Sequence, residues 1–166
     1  CYLNDTLEPL IDVYRQLQVN RSSFLHDLNT IFNDFNQSKD SKDYFYQIRD
    51  EFNQGGQTDP VLFTTILMAG FNGLWRQGPK GCNTTHGGVR KLNLDNISNI
   101  PVSKIARLSS SEWDSASIPN SDCLVYADPP YSNTHNAYRH RGWSFEDDKK
   151  LISTLASVDN PVIISM

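Results

Sequence analysis

Cysteine is scarce in this sequence, and long apolar runs are absent. The three cysteines, Cys1, Cys82 and Cys123, lie far apart and form no Cys-x-x-Cys pair, so neither a disulfide framework nor a zinc site is indicated. No stretch approaches the ~20 consecutive apolar residues that cross a bilayer, and the first residues have no signal-peptide character. We therefore expect a soluble cytoplasmic protein with no membrane partner and no bound metal.

The sequence also lacks an overall excess of positive charge. Its 15 Lys and Arg residues are outnumbered by 19 Asp and Glu residues, which argues against a protein that coats nucleic acid over its whole surface. Residues 61–110 differ from the rest, because they hold six basic residues and one acidic residue. Such a basic island is typical of a localised phosphate-binding surface, and chance clustering on a solvated face is the alternative.

Helical patterns dominate the first 70 residues. Cys1-Tyr2-Leu3 looks like the stub of a strand, and three amphipathic stretches follow it. These stretches run over residues 7–17, 24–35 and 44–52. A fourth helix begins at Pro60, with Asp59 as its N-cap, and stops near Gly70. A chain of 166 residues is long enough for one domain with a real core.

The character of the sequence changes between residues 71 and 91. Glycine recurs through this stretch, and amides, hydroxyls, cations and Trp75 stand between the glycines. Side chains of these types read base edges and hold phosphates, and loops on a rigid scaffold are where they usually sit. The polar members are Asn72, Arg76, Lys80, Asn83, Thr84, Thr85, His86 and Arg90. A long β-hairpin with a polar surface is the alternative.

The last third of the chain predicts a strand, a helix and a second strand, after an earlier strand over 104–109. The mostly apolar residues 123–127 indicate a short buried strand, which the prolines of Asp128-Pro129-Pro130-Tyr131 end. A helix begins with a capping box at Ser144, and residues 161–166 form the final strand. This order predicts a right-handed βαβ unit with parallel strands, so the tetrapeptide lies at a strand end where ligands bind. An ordinary Pro-Pro turn is the alternative.

Four motifs occur together and in a fixed order. They are Asn4-Asp5, Tyr44-Phe45-Tyr46 followed by Arg49 and Phe52-Asn53, Gly70-Phe71-Asn72-Gly73-Leu74-Trp75-Arg76, and Asp128-Pro129-Pro130-Tyr131. In these motifs, and over nearly its whole length, the chain resembles the Dam-type (D12 class) adenine-specific DNA methyltransferases of bacteria and their phages.

The resemblance implies an α/β fold. It would be a Rossmann-like S-adenosylmethionine-dependent methyltransferase sheet, incomplete in this chain, with an inserted helical and hairpin target-recognition region. Residues 1–19 and 101–166 would form the partial catalytic core, and residues 20–100 the recognition region.

The resemblance also implies an activity: site-specific methyl transfer from S-adenosylmethionine to N6 of a flipped adenine in duplex DNA. The exocyclic amine of adenine is a poor nucleophile, because its lone pair is delocalised into the ring. Asp128 and the carbonyl of Pro129 can accept hydrogen bonds from the two N–H groups of this amine. Pro130 would help to fix the turn, and Tyr131 would offer a face on which the base can stack. The reaction requires no metal.

Binding of the methyl donor is implied for two acids. Asp5 would bond the ribose hydroxyls of S-adenosylmethionine, and Asp128 would also border the cofactor. From the residues alone, a helix cap is the alternative role of Asp5. The family's glycine-rich Phe-x-Gly-x-Gly loop, which holds the methionine part of the cofactor, should precede Cys1. We therefore expect the chain to be an internal portion of a longer protein, or to lack segments of it.

Six residues would contact DNA according to the resemblance. Asn72, Leu74 and Arg76 lie in the recognition hairpin, and Thr85, Arg90 and Lys91 match its second arm more loosely. The target is commonly a short G-A-T-C-like site. Where the family usually has a Pro-Phe-Gly turn, this chain has His86-Gly87-Gly88, which leaves the base preference open. The expected partner is double-stranded DNA, bound by a monomer or weak dimer in the cytoplasm of a bacterium or a phage-infected host.

Two alternative functions stay open. Methylation of cytosine at N4 presents the same chemical problem, although the motif from Phe71 to Arg76 favours adenine. A catalytically silent DNA-binding remnant would keep the basic island, and the missing glycine loop motivates that alternative.

Overall fold

The computed structural model describes residues 1–88, 91–118, 123–130 and 143–165. Its residues form two compact units, Cys1–Trp113 and Asp114–Met166. The described residues form six helices and six short strands, which confirms the predicted mixed α/β class. None of the described helices is long and apolar enough to cross a membrane.

The first unit begins with a strand and four helices, as the sequence predicts. These are β1 (Tyr2–Asn4), α1 (Glu8–Val19), α2 (Arg21–Gln37), α3 (Ser41–Gln54) and α4 (Pro60–Ala69). The carboxylate of Asp59 accepts the N–H groups of Val61 and Leu62, which confirms the predicted start of α4. Asp40 caps α3 in the same way.

The core of the first unit surrounds α4. This helix packs against α1, α2 and α3, and it is apolar on most of its surface because three helices cover it. Its residues Phe63 and Ile66 are fully buried. The other large, fully buried apolar side chains are Ile11, Leu17, Phe32, Phe35, Leu28, Phe45 and Phe52.

A small hairpin follows α4. A 3-10 turn at Phe71–Gly73 leads into the antiparallel strands β2 (Gln77–Gly78) and β3 (Gly81–Cys82). A one-turn helix, α5 (Asp95–Ser98), comes after them. The backbone therefore returns on itself within the stretch that the sequence singled out for its glycines.

The first unit closes on its opening strand. Strand β4 (Arg107–Ser109) pairs with β1 in parallel, with Asn4 opposite Ser109. The strand predicted over 104–109 is shorter than expected, because Val102–Lys104 forms a 3-10 turn instead. The Asn4 side chain fixes the register, since its Oδ1 accepts the hydroxyls of Ser109 at 2.8 Å and Ser111 at 2.9 Å.

The second unit contains the predicted strand, helix and strand. They are β5 (Val125–Ala127), α6 (Phe145–Leu155) and β6 (Val162–Ile164). Strands β5 and β6 are parallel, and the capping box at the start of α6 joins Ser144 and Asp147 reciprocally. Both predictions are confirmed.

The expected burial of the first of these strands is wrong. Tyr126 on β5 and its register partner Ile163 on β6 are 63% and 51% exposed. Side chains alternate between the faces of a strand pair, and within the described part of the chain one face of this pair is left uncovered.

Candidate functional site

The turn after α4 presents alternate side chains outward and inward. Asn72, Leu74 and Arg76 are exposed, whereas Trp75 between them is buried. The indole of Trp75 packs on the rings of Phe63 and Phe52, with centroids 5.1 and 5.8 Å away. The three side chains that the sequence assigned to base contacts therefore share a solvent-facing loop that is anchored to the core by Trp75.

The hydroxyl of Thr84 closes the base of this loop. Thr84 Oγ1 accepts the Arg76 N–H at 3.0 Å and donates to the Leu74 carbonyl at 3.2 Å. The Arg76 carbonyl accepts the Asn83 N–H at 3.0 Å. Both backbone groups of Arg76 are thus fixed, while its side chain stays exposed. The sequence grouped Thr84 with the side chains that read base edges and hold phosphates, but Thr84 is 1% exposed and its hydroxyl bonds the loop backbone instead.

Helix α3 supports the second arm of the loop from behind. Asn53 bonds both backbone groups of Cys82, and Arg49 Nη1 donates to the Thr84 carbonyl at 3.1 Å. The Arg49 guanidinium also lies 4.6 Å from the centroid of the Tyr46 ring. The α3 motif that contributed to the resemblance thus holds the loop's backbone in place.

The two arms meet again at a close glycine contact. The Gly87 N–H donates to the Ala69 carbonyl at 2.8 Å, and a Cβ on Gly87 would lie 2.6 Å from the Gly70 carbonyl oxygen. His86, just before Gly87, packs against the rings of Phe45 and Phe35 at 5.4 and 6.1 Å. The sequence departs from the family's expected turn here, and the local backbone still approaches Gly70 closely.

The expected residues of the second arm have different positions. Thr85 is exposed and its carbonyl accepts the Phe71 N–H at 2.9 Å. Lys91 is exposed beside Leu92, whose backbone N–H and carbonyl both bond the Asn36 side chain, at 2.7 and 2.8 Å. Arg90 lies outside the described residues. Asn36 and Asn53 are supports that the sequence did not reveal.

Three residues of the basic island are exposed cations. Arg76, Lys80 and Lys91 all belong to the first unit and face solvent. No carboxylate of the residues described lies within ion-pair distance of any of the three. Lys and Arg side chains of this kind can neutralise phosphates, and the phosphate-binding surface that the basic island predicts stays a prediction.

Asp5 occupies the carboxyl end of β1, beside the parallel strand β4. Its N–H donates to the Ser109 carbonyl at 3.3 Å, and its Oδ1 accepts the Leu7 N–H at 2.7 Å. Asp5 thus ties down the entry to α1, although the N-cap position itself is Leu7. The second carboxylate oxygen has no hydrogen-bond partner in the described portion of the chain, and the ribose contact expected of Asp5 stays a prediction.

A cavity of about 260 Å³ lies next to this strand end, within the first unit. It is lined by Thr6, Leu7, Glu8, Pro9, Gly56, Gln57, Trp75 and Gln77. Asp5 immediately precedes Thr6, the first of these lining residues in the chain.

Asp128 follows β5 directly in the second unit, at the carboxyl end of the parallel pair. Its side chain is exposed, and Pro129 and Pro130 are half-buried. The Ser165 N–H donates to the Ala127 carbonyl at 2.9 Å, which holds the end of β5. Tyr131 lies outside the described residues. Asp5 and Asp128 belong to different compact units, and each half-site is described within its own unit.

A buried acid in the same unit escaped the sequence analysis. Asp148 is 6% exposed, and its Oδ1 accepts the indole N–H of the equally buried Trp143 at 2.6 Å. The pair fastens the segment that enters α6. Over the described ranges, no three His, Cys, Asp or Glu side chains lie close enough to share a metal ion.

One family model and several known proteins match this chain. The family model of D12 class N6 adenine-specific DNA methyltransferases matches residues 1–166. A DNA adenine methylase of Serratia marcescens is 30% identical, over 98% of this chain and 65% of the relative. A retron DNA adenine methylase of Escherichia coli is 26% identical, over 99% of this chain and 61% of the relative. A type II methyltransferase of Lactococcus lactis subsp. cremoris is 25% identical, over 99% of this chain and 63% of the relative. The chain thus spans about three fifths of the length of these relatives.

Proposed function

The chain belongs to the D12 class of N6 adenine-specific DNA methyltransferases, and on that premise we propose that the whole protein methylates adenine N6 in duplex DNA. The methyl donor of the family is S-adenosylmethionine. Two of the relatives are themselves DNA adenine methylases, which supports adenine over cytosine as the target.

The observation that carries the proposal is the position of Asp128 and Pro129. Both follow a parallel strand at its carboxyl end, where Asp128 is exposed and the proline holds the main chain rigid. The Asp128 carboxylate and the Pro129 carbonyl can accept the two amine N–H groups of an adenine that has left the duplex. The nitrogen lone pair then points away from the ring plane, toward the donor.

S-adenosylmethionine, when bound, supplies a methyl group on a sulfonium sulfur. The amine nitrogen would form a bond to that carbon as the carbon–sulfur bond breaks, with S-adenosylhomocysteine as the leaving group, and the methylated amine would then release one proton to water. Asp128 stabilises the positive charge that develops on the nitrogen, and the two acceptors keep the amine aligned. Tyr131 would offer the base a stacking face.

Asp5 is the proposed ribose ligand of the donor. Its position after a parallel strand and its available oxygen support this role. We further propose that residues 1–19 and 101–166 form a partial catalytic core of the Rossmann-like methyltransferase type. Residues 20–100 would then be the inserted recognition region.

Target recognition is proposed for the exposed loop and its second arm. Asn72, Leu74 and Arg76 would contact bases of a short G-A-T-C-like site. Thr85, Arg90 and Lys91 would contact the flanking DNA. The support is the common exposure of the first three side chains on a backbone that is fixed at both of its arms.

Tritiated methyl transfer to plasmid DNA by the whole protein tests the proposal. We expect incorporation that depends on S-adenosylmethionine, and N6-methyladenine as the modified base after enzymatic hydrolysis and mass spectrometry. N4-methylcytosine would support the alternative enzyme instead. Salt-sensitive DNA binding without any incorporation would mean a catalytically silent remnant, and would overturn the proposal.

A further inference from the structure

We propose that Thr84 is a positioning residue for sequence readout. Its buried hydroxyl fixes the backbone of Leu74 and Arg76, so that their side chains reach the bases in one register. This inference rests on the proposed function, because it assigns a task within the recognition of the same DNA target.

The Thr84 hydroxyl replaces backbone hydrogen bonds at the point where the pairing between the two strands stops. Regular strand pairing between the two arms is restricted to Gln77 opposite Cys82 and Gly78 opposite Gly81. One step beyond, the Asn83 N–H still bonds the Arg76 carbonyl at 3.0 Å. At Thr84 the side chain takes over, since Oγ1 bonds the Arg76 N–H and the Leu74 carbonyl at 3.0 and 3.2 Å.

Thr84 is itself held in place by α3. Arg49 Nη1 donates to the Thr84 carbonyl at 3.1 Å. Asn53 bonds both the N–H and the carbonyl of Cys82, which lies two residues before Thr84 in the chain. The hydroxyl donates its one hydrogen bond to the Leu74 carbonyl and accepts one from the Arg76 N–H, so its donor is used. A fixed path therefore runs from α3 through Thr84 to the loop backbone.

This path matters because bidentate readout tolerates little displacement. An arginine that bonds two acceptors on one base needs both N–H groups aligned, and the side chain of Arg76 is exposed and free to turn. Its Cα is the part that the protein can control. A backbone that can shift would keep nonspecific phosphate contacts while weakening the discrimination between base pairs.

The methyl group and the hydroxyl of Thr84 have separable tasks. The methyl carbon Cγ2 fills the space beside Gly70, where a Cβ on that glycine would lie 2.7 Å from it. Thr84→Val keeps the branched shape and loses the hydroxyl, whereas Thr84→Ser keeps the hydroxyl and loses the methyl. Thr65→Val is the matched control, because Thr65 is also fully buried but bonds the Val61 carbonyl within α4.

The experiment uses the whole protein and two duplexes. One carries the site that the wild type methylates in plasmid DNA, and the other differs from it by one base pair within that site. We expect Thr84→Val to lower the ratio of the two affinities about tenfold, with little change in binding to the altered duplex. Thr84→Ser and Thr65→Val should keep the wild-type ratio.

Hydrogen exchange of the free protein gives a second readout that needs no DNA. In Thr84→Val the Arg76 amide should exchange faster than in the wild type, while the amides of α3 and α4 keep their protection and report an intact fold. Thr65→Val should leave the Arg76 amide unchanged.

Two results would overturn the inference while leaving the proposed methylation intact. In the first, the affinity ratio of Thr84→Val stays within twofold of the wild-type ratio. In the second, Thr84→Ser and Thr65→Val lower the affinity ratio as much as Thr84→Val does. A wild-type protein that transfers no methyl group and prefers no duplex would overturn the proposed function and, with it, this inference.

Discussion

Asn53 satisfies the backbone of Cys82 as a neighbouring strand would. Its Nδ2 donates to the Cys82 carbonyl at 2.9 Å, and its Oδ1 accepts the Cys82 N–H at 2.7 Å. The adjacent Gly81 permits the approach, since a Cβ there would lie 2.5 Å from the same Oδ1. A helix side chain thereby ends the small hairpin at the edge that faces the core.

Replacing this amide should destabilise the protein. Cys82 is 3% exposed, so Asn53→Ala leaves two buried backbone groups without a partner. We expect the free energy of unfolding to fall by about 2–3 kcal/mol, measured by urea denaturation. Asn20→Ala is the control, because Asn20 is exposed and bonds only Gln16 through its side chain; it should change stability by less than about 0.5 kcal/mol. Equal effects of the two variants would contradict the structural role.

Asp128→Ala should abolish methyl transfer and leave DNA affinity largely intact. The carboxylate is exposed at the end of β5, so its removal leaves no buried group unpaired. Single-turnover methylation and equilibrium binding to the same duplex measure the two effects. Glu146→Ala, an exposed acid near the start of α6, should keep both at wild-type levels. Near-normal turnover in Asp128→Ala would show that the amine is held elsewhere.

Arg76→Ala should relax sequence choice. If the guanidinium makes a bidentate base contact, we expect the cognate complex to lose about 1–3 kcal/mol and discrimination at one base position to disappear. The comparison is with Lys80→Ala, whose exposed ammonium lies in the hairpin turn and should affect all sequences alike. Affinities for a set of single-base-pair variants separate the outcomes. Uniform weakening by Arg76→Ala would make Arg76 a phosphate ligand instead.

Tyr44 should make the protein sensitive to alkaline pH. Burial raises the pKa of its phenol above the ordinary value of 10.0, and the nearby charges of Asp34 and Glu51 raise it further. Because the folded pKa lies above the unfolded one, the stability that the neutral phenol contributes is complete below the unfolded pKa. It is lost as the pH rises through the folded pKa.

Denaturation at neutral and alkaline pH tests this dependence. The free energy of unfolding of Tyr44→Phe should fall less over that range than that of the wild type. Tyr2→Phe serves as the control, since Tyr2 is exposed. If the free energy of unfolding falls equally with pH in the wild type and in Tyr44→Phe, the role of Tyr44 is refuted.

Local signals explain what the sequence could predict. Asp59 with Pro60, and Ser144 with Asp147, fix helix starts through contacts within four residues, so the pattern and the structure agree there. The prolines after Ala127 similarly mark the end of β5. Those positions depend on backbone chemistry that a few neighbouring residues determine.

The supports of the recognition loop depend on distant contacts instead. Asn53 meets Cys82 across 29 residues, and Asn36 meets Leu92 across 56, with no periodicity to announce either pair. In the sequence nothing distinguishes Thr84 from its polar neighbours, and only the folded structure shows that it is buried. The sequence left two roles open for Asp5, a cap at the start of a helix and a ribose ligand, because the two carboxylate oxygens can bond different partners. One oxygen accepts the Leu7 N–H, and the ribose role stays a prediction.

The parallel pairing of β1 with β4 also orders events during synthesis. Asn4 and its partner Ser109 are 105 residues apart, so at about 5–20 residues per second the ribosome needs about 5–20 s to deliver the second strand after the first. Helix–coil relaxation takes about 0.1–1 μs in peptides of ~20 residues, which is far shorter than this interval. The residues of α1 to α4 therefore leave the ribosome seconds before Ser109 can pair with Asn4.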